Sequence, residues 1–135
     1  MSLKSAPCVT SLHDERPWET YETSDPIEWE RDKVRWKELI SKELTGSRDL
    51  WLAVVELDGG EEHLSHCHPD VSQFYYVIEG KGEFTVGDQI IEGTPGSSIY
   101  IAAGTWHGFR NSGPDKLVLV EGFNDLNKIS KLRQV

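Results

Sequence analysis

The chain has 135 residues, enough for one domain and too few for two independent cores. Asp and Glu number 23 against 14 Lys and Arg, and a net charge of −9 repels phosphate backbones, so nucleic-acid binding is not expected. Hydrophobic residues make up 37%, which argues against global disorder, yet no apolar run approaches the ~20 residues of a membrane span. Cys8 and Cys67 are too few for a disulfide framework; with no charged-then-apolar leader at the start, a cytoplasmic location is expected.

Residues 1–23 lack a sustained period and carry Pro7 and Pro17. They read as an arm, with Trp18 and Tyr21 as candidate anchors on the domain or on a second subunit. Asp25-Pro26-Ile27-Glu28 combines an N-cap, a proline at the first helical position and a capping box, which predicts a short helix from Pro26 to about Lys33. Residues 34–40 suit either period and are assigned as a strand. From Leu50 the chain becomes a series of short β-branched and aromatic runs: Leu50–Leu57, Gln73–Ile78, Gly82–Val86, Gln89–Glu92, Ser98–Ile101, Gly108–Asn111 and Lys116–Phe123. Turn residues such as Asp58-Gly59-Gly60, Gly87-Asp88 and Thr94-Pro95-Gly96 separate them. That spacing indicates an all-β sandwich or barrel, with the clearest hairpin at Gly87-Asp88. The organisation is an arm and short helix over 1–33, a barrel over 34–124 and a tail over 125–135, helical or disordered.

His66-Cys67-His68 carries the chemistry. On a strand, residues two apart share a face, so both imidazoles point one way and Cys67 points the other, as a buried neutral thiol. Paired imidazoles are half of a metal site, but His-x-His alone is weak evidence. The surrounding spacing adds weight. Gly60 precedes His66 by five intervening residues; one lies before His68, four before Gln73 and six before Gly80. Later, Gly96 is followed after five residues by Ala102, then Gly104, His107 and Asn111. Gly104 permits a tight turn that brings His107 in from a distant strand, and Asn111 can hydrogen-bond a turn backbone.

These spacings match the two motifs of the cupin family, and the stretch from Trp51 to Phe123 resembles a single-domain cupin. The resemblance implies a small double-stranded β-helix, or jelly-roll barrel. Inside it, His66 and His68 from the first motif and His107 from the second would hold a divalent metal: Fe, Mn, Ni or Zn. Two positions depart from the pattern. Ala102 replaces a common proline. Gln73 replaces the usual glutamate, so its amide oxygen could ligate but brings no charge and cannot act as a base. Three neutral imidazoles and an amide leave the metal's charge uncompensated, favouring an anionic ligand.

Strand parity nominates the walls. Tyr75 shares Gln73's face and could offer a hydroxyl to substrate or simply pack. Phe74, Tyr76 and Ile78 line the opposite face, against another sheet or a partner. Glu121, among Leu117, Leu119 and Phe123, is a candidate general base or else marks where that face meets solvent. Trp106 could cap the pocket or join the core. His63, an odd step from His66, should face away as a solvated loop histidine, and His13 in the arm should be inert. The resemblance implies a metal-dependent protein acting on a small organic substrate. An oxygenase-like reaction is favoured, with a lyase or isomerase, or a non-catalytic binding module, as alternatives. It also implies a homodimer.

Overall fold

The structure is a computed structural model that describes residues 7–133. Its elements, in chain order, are β1 (Glu19–Thr20), α1 (Tyr21–Ser24), α2 (Pro26–Trp29), β2 (Arg35–Ile40), α3 (Lys42–Thr45), β3 (Trp51–Leu57), β4 (Glu62–Cys67), β5 (Gln73–Glu79), β6 (Gly82–Val86), β7 (Gln89–Gly93), β8 (Ser98–Ile101), β9 (His107–Asn111), β10 (Leu117–Phe123), a 3₁₀ turn (Leu126–Lys128) and β11 (Leu132–Arg133). Two antiparallel sheets form, ordered β1-β2-β3-β10-β5-β8 and β11-β4-β9-β6-β7. This is the expected all-β jelly roll. No helix of the described residues is long and apolar enough to cross a membrane.

Alternation decides which side chains lie between the sheets. On β5, Gln73, Tyr75 and Val77 are buried, while Phe74, Tyr76 and Ile78 are 43–47% exposed. On β10, Leu117, Leu119, Glu121 and Phe123 turn inward. Phe84 and Phe109 stack at 5.1 Å within the core, which also contains Val55, Leu57, Ile99 and Ile101. The β6–β7 hairpin turns at Gly87, whose φ of 59° suits a residue without a Cβ. Asn111 secures the turn after β9, donating to the carbonyls of Leu57 and Asp115 and accepting from Gly113 N–H.

The helix beginning at Pro26 is shorter than expected. Asp25 caps it by accepting from Glu28 N–H, but it ends at Trp29 rather than near Lys33. Asp32 then turns into the interior, where its carboxylate accepts from Val34 and Leu64 N–H groups. A continuing helix could not place it there. The arm packs on the domain through Tyr21, whose ring lies 5.3 Å from that of Trp36. It is also held by Lys37, which donates to the carbonyls of Leu12 and Asp14 and pairs with the Asp14 carboxylate. Trp18 is half-buried and His13 is exposed. Within the described part of the tail, Leu132 and Arg133 pair with Cys67 and His66.

Candidate metal centre

The pairing of β4 with β9 places His66 directly opposite His107, and His68 follows one residue after β4 ends. All three histidines are buried, and one ring nitrogen from each lies within 4.8 Å of the others. Their second nitrogens are already occupied. His66 Nδ1–H donates to Leu64 O at 2.7 Å, His68 Nδ1–H to Ser130 O at 2.8 Å and His107 Nδ1–H to Thr105 O at 2.8 Å. Each bond fixes the tautomer that leaves Nε2 as a lone pair. Burial holds the His68 and His107 pKa values down at about 4 and depresses that of His66 further, so all three rings are neutral at neutral pH.

A divalent cation fits this donor set. The buried His66 Nε2 and Gln73 Oε1 have no hydrogen-bond partner among the described residues, an expense that a metal ion would relieve. Gln73, from the opposite sheet, lies with its amide nitrogen 2.9 Å from His107 Nε2. That amide donates to the lone pair a metal would need. Turning it over would release His107 and bring Oε1 to the triad.

His63 is not solvated. It is buried, its ring lies 4.4 Å from that of His66, and its Nδ1–H donates to Asp32 at 2.8 Å. Strand parity fails because β4 is bulged. Three steps from His63 to His66 face two from Phe109 to His107, so one extra residue turns both histidines inward. Gly108 makes room for the bulge, since a Cβ there would meet His63 O at 2.8 Å and Ser65 N at 3.0 Å. Burial lowers the His63 pKa against the pull of Asp32. Burial also pushes the Asp32 carboxyl up, but hydrogen bonds from His63, Leu64 and Val34 outweigh that and hold it at about 2.

Beside the histidines is a cavity of about 210 Å³. His63, His66, His68, Glu121 and Lys131 give its polar wall, and Tyr21, Trp36, Trp51 and Phe123 its aromatic one. Glu121 therefore does not mark a solvent boundary. It is buried and pushed up to about 7 by desolvation, partly offset by Lys131. Its cross-strand neighbour Tyr75 is also buried, its ring 6.0 Å from that of His107, and its hydroxyl has no hydrogen-bond partner among the described residues. Burial and the Glu121 charge raise the Tyr75 pKa well above 10. Trp106 borders a separate outer groove rather than capping the cavity. Tyr21, Asp32 and Lys131 have no motif of their own, and only the fold brings them to the site.

The family profile described as a cupin domain matches residues 53–123. The dimethylsulfoniopropionate lyase DddW of Ruegeria pomeroyi is 32% identical over 91 residues, covering 67% of this chain and 59% of that protein. The chain thus spans less than two thirds of that relative's length. Among solved structures, an RmlC-like cupin from Shewanella frigidimarina superposes with a TM-score of 0.68 at 20% identity, covering 90% of this chain and 97% of the other. KdgF from a Halomonas species gives 0.65 at 22% identity over 82% of this chain and 87% of its own.

Proposed function

Since this chain belongs to the cupin family, we propose that it is a metal-dependent enzyme acting on a small anionic organic molecule by proton abstraction and elimination. His66, His68 and His107 would hold the ion, with Gln73 completing the set. When bound, the ion supplies Lewis acidity toward an oxygen of the substrate. The observation that carries this reading is Glu121, a carboxylate buried in the same cavity as His66 and His68, with a pKa of about 7. A general base is most effective when its pKa lies near the working pH. Gln73 brings no carboxylate to the cupin pattern, and Glu121, in the same cavity, would act in its stead. Its carboxylate would take the proton α to the substrate's carboxylate. The freed electron pair then forms a carbon–carbon double bond as the β-substituent departs with its own bonding pair. Tyr75 stays protonated and would donate its hydroxyl to a substrate oxygen. The resemblance to DddW supports this reaction class over the oxygenase-like one.

The test uses metal-loaded protein in D₂O with 3-substituted propionates, dimethylsulfoniopropionate among them, followed by NMR. An unsaturated product that keeps one of the two original α hydrogens is expected, and it should be lost in Glu121→Gln with metal content retained. Consumption of dioxygen without elimination would return the reading to an oxygenase. The exposed outer face at Phe74, Tyr76, Ile78 and Tyr100 supports a homodimer, which sedimentation velocity checks.

A further inference from the structure

Among the described residues, the cavity wall has one lysine or arginine side chain, that of Lys131. The backbone around it is fixed on both sides. Ser130 O accepts from His68, Leu132 pairs with Cys67, and Arg133 pairs with Asp32 at 3.2 Å and Glu28 at 3.3 Å. The lysine itself is exposed at the cavity mouth, but its ammonium is turned over the Tyr21 ring, 4.8 Å from its centroid, and donates to the Tyr21 hydroxyl. Among the described residues it makes no salt bridge, although Glu121 lines the same cavity. An ammonium has three donors, so the bond to Tyr21 leaves two for something else.

The charge balance gives those donors a purpose. A protein of net charge −9 repels an anionic ligand at long range, and Glu121 repels it again inside the cavity. A local cation at the mouth is the means by which such a ligand could enter and be held. The cavity, about 210 Å³, suits a small ligand.

We propose that Lys131, positioned by Tyr21 and the β11 pairing, binds the carboxylate of the substrate at the cavity mouth and selects small carboxylates over neutral molecules of the same shape. The proposal rests on reading this cavity as the substrate site, but it does not require the metal. Because the segment carrying Lys131 also orients His68 through Ser130, the ligand's anionic end would be held in register with the histidines.

Trp36 and Trp51 line the cavity, so their fluorescence serves as the probe. The metal-free full chain is titrated with propionate and with its neutral isostere propionamide. Wild type is expected to prefer propionate about tenfold, the size of effect a charge-assisted hydrogen bond supplies. Lys131→Gln should abolish that preference, and Lys131→Arg should keep most of it. A Lys131→Gln protein that retains the wild-type ratio overturns the proposal. So does one that loses both probes equally, which is the mark of a packing role, and so does a wild type without preference. Metal titration of the same samples separates the two readings. Failure to bind metal with the propionate preference intact refutes the metal assignment and leaves Lys131 standing.

Discussion

Replacing Glu121 by Gln tests whether the cavity is as desolvated as its lining implies. The carboxyl's pKa rises from the ordinary 4.5 to about 7 on folding, mainly through burial. At about 1.4 kcal/mol per pH unit, that rise costs the folded state roughly 3 kcal/mol once the group is ionised. The sign follows from which form each state prefers. Below pH 4.5 the carboxyl is neutral in both folded and unfolded chains and no stability is lost. Between 4.5 and about 7 the unfolded chain ionises first, and stability falls as pH rises. Above 7 the loss is complete. Gln keeps the shape and removes the charge, so Glu121→Gln should match wild type near pH 4.5 and exceed it by roughly 3 kcal/mol at pH 8. Urea denaturation of the metal-free proteins across that range measures the difference. Parallel profiles for the two proteins would mean that Glu121 ionises as it would in water, and its role as a base poised near neutrality would fall.

Three further outcomes follow from the same geometry. Divalent metal affinity should stay nearly flat from pH 8 to about 5.5 and fall toward pH 4, where His68 and His107 take up protons; chelator competition across pH measures it, and a fall centred near 6.5 would show ordinary, solvated imidazoles. Gln73→Glu adds the missing anionic donor beside His107 and should tighten metal binding about tenfold or more by the same competition assay. Gly108→Ala drives a Cβ into the backbone of the bulge at 2.8–3.2 Å and should cost about 1–3 kcal/mol in urea denaturation, with reduced metal affinity as His63 and His66 shift.

The barrel was legible in the sequence because alternation and turn residues are local. β6, β8 and most of β5 and β10 lie where short apolar runs between glycines place them. The three histidines were legible because each is held at a fixed step from a glycine that needs a positive φ, as at Gly60, Gly96 and Gly104. Strand parity misplaces His63 because it counts residues along one strand, whereas the direction of this side chain depends on a bulge set by the partner strand. Gly108, a glycine inside a strand, was the available signal. Nothing in the sequence marks Asp32 as the partner of His63, or Tyr21 and Lys131 as cavity walls. They come from segments that read as arm and tail, and their meaning arises only from long-range pairing such as Arg133 with His66.

Direct measurement of bound metal bears most heavily on the central claim. Wild-type protein, His66→Ala and His107→Ala, each first confirmed as folded, are equilibrated with a divalent ion, separated from excess and analysed by elemental mass spectrometry. The account predicts about one ion per chain in wild type and a large loss in both variants. Stoichiometric metal in either variant, or none in wild type, would contradict it.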